Sequence, residues 1–190
     1  MDSKISSNIT GGNTAYKRVE SDYYPTPPEA TQALMDFLQL PKGTVIWEPA
    51  CGRGHMADVI ECNGYQVIST DIITGTDYLT AGFRKCDWII TNPPFSRSQE
   101  FIEQSMEYGI PFAFLLKSQY WHARKRYDLF SRYKPQFVLP LTWRPDFLFG
   151  ARGGASLMDV IWVVWGDESA DQTIYMPLQR PEVVRKTIIY

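Results

Sequence analysis

Residues 44–71 constrain the fold more than any other stretch of this chain. Thr44-Val45-Ile46-Trp47-Glu48 reads as a short buried-type strand that runs into Pro49-Ala50-Cys51-Gly52-Arg53-Gly54. His55 to Cys62 then reads as a helix closed by Asn63-Gly64, and Tyr65-Gln66-Val67-Ile68-Ser69-Thr70-Asp71 as a second strand ending on a carboxylate. Strand, glycine turn, helix and strand form the repeating unit of a doubly wound sheet, whose ligands bind beyond the carboxyl ends of the strands. A Cβ at Gly52 or Gly54 would obstruct the sharp turn and the approach of a ligand to its backbone. Glu48 supplies a negative acceptor at the first strand's end. Asp71 follows Gly54 by 17 positions, near the spacing at which such folds hold a ribose diol, with a turn or cap role as the alternative.

The flanking chain is consistent with this frame. Residues 1–20, rich in Ser, Asn, Gly and Thr, read as a mobile tail. Thr26-Pro27-Pro28-Glu29 predicts a helix start with Thr26 as cap and Glu29 completing a capping box. Ala30, Ala33, Leu34, Phe37 and Leu38 follow at the spacing of one helix face, and Leu40-Pro41-Lys42-Gly43 ends it. The segment from Ile73 to Leu79 leaves little room for a helix. Cys86 to Thr91 reads as a strand, Ser98 to Tyr108 as a helix stopped by Gly109, and Pro111 to Lys117 as a buried parallel strand. A helix is predicted over 120–133, and strands over 136–141 and 157–165, with an aromatic, basic and glycine-rich loop, Trp143 to Gly154, between them. Residues 166–190 resist placement. The expectation is one α/β domain over residues 21–190, a mostly parallel seven-stranded sheet with an antiparallel last strand and helices on both faces.

The third strand stops on Asn92-Pro93-Pro94-Phe95. Two prolines fix φ and contribute no N–H, so this turn offers carbonyls, one side-chain amide and a ring. That combination suits a planar amine substrate; an ordinary strand-ending turn is the alternative.

Composition excludes several classes. No apolar stretch approaches the length of a membrane span, and the start Met1-Asp2-Ser3-Lys4 lacks a secretory pattern. Cys51, Cys62 and Cys86 are odd in number without C-x-x-C spacing, and the two histidines, His55 and His122, are not grouped with them. Neither a disulfide framework nor a metal site is indicated, and a reduced, cytoplasmic setting is expected. Cys51 reads as small filler in the turn. The formal net charge is −2, yet residues 117–152 carry 8 Lys/Arg against 2 Asp/Glu. A basic block inside an acidic protein is a candidate polyanion face or a solvated helix surface. Lys117, Arg124, Lys125 and Arg126 are its candidate phosphate contacts.

Taken together, the helix entry, the Glu48-to-Gly54 turn, Asp71 with Asp77, and Asn92-Pro93-Pro94-Phe95 resemble the S-adenosylmethionine-dependent amino-methyltransferases, and most nearly the N6-adenine DNA methyltransferases of phages and prophages. The resemblance covers most of residues 22–165. It implies a Rossmann-like class I methyltransferase fold. It also implies that Glu48, Ala50, Cys51, Gly52 and Gly54 hold the methionine part of the cofactor and that Thr26 and Pro27 reach its carboxylate, with Tyr24 either at the cofactor or a packing aromatic. Asp71 would take the ribose hydroxyls, with Ile72 against the adenine ring and Asp77-Tyr78 at its amino group. Asn92 and the Pro93 carbonyl would accept from the amine to be methylated, backed by Pro94, while Phe95 stacks on the base. Arg144-Pro145-Asp146-Phe147 resembles a segment that lies over the target base, which assigns Arg144 and Phe147 to the substrate.

The implied activity is site-specific methylation of the adenine N6 amine in DNA. RNA adenine or a protein glutamine amide are alternatives for the same chemistry, and a catalytically silent nucleic-acid-binding module is the alternative of another class. Sequence-reading DNA methyltransferases commonly carry a large recognition insert. Here about forty residues separate the glycine turn from Asn92. Recognition is therefore expected to fall to short loops, the tail or a partner subunit.

Overall fold

The computed structural model describes residues 24–147, 158–166 and 171–182, with only the backbone of Lys125. The expected tail over 1–20, residues 148–154 of the aromatic loop and the first residue of the strand expected over 157–165 lie outside the described residues. Seven strands form one sheet: β1 (Val45–Glu48), β2 (Gln66–Ser69), β3 (Trp88–Thr91), β4 (Phe112–Lys117), β5 (Phe137–Pro140), β6 (Val160–Trp165) and β7 (Ile174–Tyr175). Their order is β2-β1-β3-β4-β6-β5-β7. β1 pairs in parallel with β2 and β3, and β3 with β4. β6 is antiparallel to β4 and to β5, while β5 and β7 are parallel. The expected sheet is therefore present, mostly parallel with one antiparallel member. That member is the sixth strand, because a two-residue strand follows it in the stretch that defied placement.

Side-chain alternation divides the core into two layers. Ile46, Ile90, Ala113, Leu115, Trp162 and Val164 face one way, toward α1 (Pro28–Leu38) and α2 (His55–Cys62). Trp47, Ile89, Phe112, Phe114, Val163 and Trp165 face the other, toward α3 (Ser98–Tyr108) and α4 (Tyr127–Arg132). Both faces of the central strands are thus covered, which is why β4 and β6 read as unbroken apolar runs. Phe112 stacks on Trp165 with centroids 4.6 Å apart across the antiparallel pair. Trp162 is fully buried and donates its indole N–H to the Ala30 carbonyl at 2.8 Å, tying α1 to the sheet. Among the described residues no helix is long and apolar enough to cross a membrane.

Two local expectations are corrected. The capping box does not form: Pro27 occupies the cap position of α1 without a side-chain bond, and Thr26 is buried with its hydroxyl used elsewhere. The helix predicted over 120–133 is broken into 3₁₀ turns at Ser118–His122 and Arg124–Arg126 followed by the six-residue α4. The break has a visible cause. Arg126 folds inward, its guanidinium 3.7 Å over the Tyr120 ring and donating to the Tyr120 carbonyl, so the tight turns are held by a side chain rather than by a continuous ladder. The other helices end as their residues suggest, α3 on Gly109 in the left-handed conformation and α2 at Asn63.

Candidate active site

The carboxyl ends of β1 to β4 share one edge. The chain runs from β1 outward to β2 and then back to β3 on β1's other side, so β1 and β3 flank the topological switch point. A cleft of about 570 Å³ lies there.

The glycine turn follows β1. Gly52 and Gly54 have φ of +53° and +85°, a region that side chains with a Cβ rarely adopt. Three of its N–H groups are already used: Cys51 donates to Thr70 O, Gly52 to Asp71 Oδ2 at 2.8 Å, and Gly54 to Cys51 O. Such a turn is a poor cradle for phosphate. Its walls are acidic instead, with Glu48, Asp71 and Asp77 all lining the cleft.

Glu48 is almost fully buried, and its Oε2 has no hydrogen-bond partner among the described residues. Burial pushes its carboxyl up to about 8; the Asp71 and Asp58 carboxylates add to the rise, and a hydrogen bond from the Ala57 backbone opposes it. Burial likewise pushes the Cys51 thiol up to about 11, so it stays protonated at neutral pH and is no nucleophile. The cleft therefore suits a ligand carrying positive charge and hydrogen-bond donors.

Asp71 is buried and accepts from Gly52 N–H on one oxygen and from Ile73 N–H on the other, capping the 3₁₀ turn Ile72–Thr74. The cap and a ligand role are compatible, since each carboxylate oxygen keeps a further lone pair. Ile72 is exposed beside it on the cleft wall. Asp77 accepts from Leu79 N–H and pairs with Arg97 at 3.5 Å. Tyr78 is a core group with a small share of the wall: its ring packs on Trp47 and Phe101, and its hydroxyl is bonded to Ser105 Oγ at 2.6 Å. Ala50 also lines the cleft, whereas Pro27, Gly52 and Gly54 do not.

Asn92 leaves β3 with Pro93, Pro94 and Phe95, all on the wall. Its Nδ2 donates to Tyr24 O and to Thr26 Oγ1, each at 3.1 Å. A carbonyl can only accept, so the Tyr24 contact fixes which end of the amide is nitrogen. Asn92 Oδ1 is left buried without a partner among the described residues. Beside it the Tyr24 and Phe95 ring centroids lie 5.4 Å apart, Phe147 meets Tyr24 edge-on at 6.4 Å, and Lys117 Nζ stands 4.2 Å from the Phe95 centroid. Four distant segments thus converge on one aromatic wall.

Other predicted substrate residues lie elsewhere. Arg144 is exposed and paired with Asp159 at 2.7 Å, Arg126 is spent on Tyr120, and Arg124 is exposed on the turns after β4. The Lys125 side chain lies outside the described residues. Sequence reasoning missed Arg97, His55, Met56 and Phe101 on the cleft wall. For Arg97 the signal was its position two residues after the Asn92–Phe95 turn; in the structure Pro94 O accepts from Arg97 N–H and the side chain reaches Asp77.

No protein-family model and no curated protein sequence matches the chain. Solved structures match it in three dimensions. A Listeria monocytogenes protein assigned to the class I S-adenosylmethionine-dependent methyltransferases gives a TM-score of 0.59 at 15% identity, over 92% of this chain and 71% of its own. The methyltransferase subunit of a type I restriction-modification system from Streptococcus thermophilus gives 0.57 at 11% identity, over 81% and 47%. A dimethyladenosine transferase from Plasmodium falciparum gives 0.53 at 14%, over 78% and 65%. The chain spans about half the length of the restriction-modification subunit. Likeness at these identities establishes the fold, which is the Rossmann-like fold of class I methyltransferases.

Proposed function

We propose that this chain transfers a methyl group from S-adenosylmethionine to the N6 amine of adenine in DNA. The observation that carries the reading is Asn92. Its amide nitrogen is held by Tyr24 O and Thr26 Oγ1, and its buried acceptor, Oδ1, has no partner among the described residues and would take a donor from the substrate. An exocyclic amine conjugated with its ring is a poor nucleophile. Acceptance of its hydrogens by Asn92 Oδ1 and the Pro93 carbonyl favours a more tetrahedral nitrogen with its lone pair directed outward. Phe95 and Tyr24 present ring faces that hold a flat base in that pose. The work is positioning and preorganised dipoles, without a general base.

The cofactor supplies the electrophilic methyl on a sulfonium. The acidic cleft supports this reading: Glu48, whose Oε2 has no partner among the described residues, would accept from an ammonium, and Asp71 from ribose hydroxyls. A duplex adenine must leave the stack to reach this wall, at a cost of a few kcal/mol offset by the aromatic contacts.

The structural likeness to a restriction-modification methyltransferase subunit and to a dimethyladenosine transferase favours a nucleic-acid acceptor. The test is transfer of labelled methyl to DNA, RNA and protein acceptors in parallel, followed by mass spectrometry of nucleosides. N6-methyladenine in DNA that disappears in Asn92→Ala, with cofactor binding retained, is the expected result. Transfer that survives Asn92→Ala overturns the mechanism.

A further inference from the structure

We propose that the concave surface built by the turns after β4 and by α4 docks an unpaired nucleotide strand next to the target base. The proposal rests on the nucleic-acid reading above and assigns it a second contact surface. The hollow, about 430 Å³, is lined by Trp121, His122, Arg124, Tyr127, Phe130 and Lys134, and none of its lining residues is acidic. It lies within the basic block of an otherwise acidic chain.

Two features separate it from a merely solvated basic face. First, Tyr127 is 73% exposed at the start of α4, while the Trp121 and Phe130 rings, tilted to one another with centroids 4.2 Å apart, also line the hollow. Aromatic faces bordered by two exposed cations, Arg124 and Lys134, match bases alternating with phosphates. Second, the shape is held from within. Arg126 lies over the Tyr120 ring and donates to the Tyr120 carbonyl, a contact that ties the two tight turns together. The first turn begins at Ser118, directly after Lys117, whose ammonium stands over Phe95. Lys117 thus joins, along the chain, the aromatic wall at Phe95 to the turns that line the hollow. Base faces are hidden in a duplex, so this surface favours single-stranded or locally opened substrate.

Fluorescence anisotropy of the full chain with a labelled single-stranded DNA of about 12 nucleotides tests the proposal. The expected results are tighter binding of the single strand than of its duplex, and about tenfold weaker binding by Tyr127→Ala with recovery in Tyr127→Phe. Arg124→Gln with Lys134→Gln should flatten the logarithmic salt slope by about 1.4. RNA of the same sequence distinguishes the sugar: binding of either polymer that depends on Tyr127 supports the hollow. Equal affinity for duplex and single strand, no effect of Tyr127→Ala, or competition by polyphosphate as effective as by unlabelled oligonucleotide overturns it. Calorimetry with S-adenosylmethionine and nucleoside mass spectrometry keep the two readings apart, since failure of the methyl-transfer reading appears as absent cofactor binding or absent N6-methyladenine whatever the oligonucleotide binding does.

Discussion

Asn92 has two partners on its nitrogen and none on its oxygen among the described residues, and that asymmetry makes specific demands on its substitutes. Asn92→Asp keeps an acceptor toward the cleft but turns a carboxylate oxygen against the Tyr24 carbonyl, so the side chain must swing away. We expect methyl transfer to fall by about 10²–10³-fold, the scale of losing a preorganised contact to the reacting centre, with cofactor affinity little changed. Thr26→Val removes one of the two latches on the amide. It should cost about 1 kcal/mol of stability and slow transfer, with Thr26→Ser restoring both; helix content unchanged by circular dichroism separates this latch from a capping role. Lys117 is placed differently. Its ammonium lies over Phe95 and 5.9 Å from the Tyr24 centroid, so Lys117→Met should weaken oligonucleotide binding and reduce the salt slope by about 0.7 while calorimetric binding of the cofactor is preserved.

At the scale of elements, α1 both covers the sheet and carries the segment that latches Asn92. Its tether is the Trp162 indole, bonded to Ala30 O in a fully buried setting. Trp162→Phe keeps most of the volume and loses the bond. It should destabilise by about 1–3 kcal/mol in urea unfolding and lower the transfer rate disproportionately, because Tyr24 and Thr26 lose their registration against Asn92. An unchanged rate in folded Trp162→Phe would show that α1 is held well enough by packing alone. The same element shows what the sequence made legible. The first six strands, the glycine-stopped helices and the four cleft segments were readable because period, turn chemistry and strand ends are local properties, whereas the two-residue β7 is too short to show a period. The capping box was not, because Thr26 is drawn to Asn92, 66 positions away. Nor was the break in the 120–133 helix, since helical periodicity says nothing about Arg126 turning inward. Arg144 matched a family-like segment, yet nothing local announced that Asp159 would claim it.

For the whole molecule, the consequence of placing a cleft at the switch point of a doubly covered sheet is that an acid is buried in it. Glu48 has its carboxyl pushed from 4.5 up to about 8, chiefly by burial. The folded chain therefore holds this proton more tightly than the unfolded chain. Between pH 4.5 and 8 the folded state binds more protons, so stability from this group is greatest below that window and is lost as pH rises through it. The loss is on the order of a few kcal/mol. Glu48→Gln removes the titration, so it should match the wild type near pH 5 and exceed it in urea unfolding at pH 9. Cofactor binding carries the opposite sign. A cationic ligand recruits the ionised carboxylate, and S-adenosylmethionine affinity should rise between pH 5.5 and 7.5 in the wild type, by up to about tenfold per pH unit, and stay flat in Glu48→Gln. Equal pH slopes in the two proteins would separate Glu48 from the ligand and leave its burial as a purely structural cost.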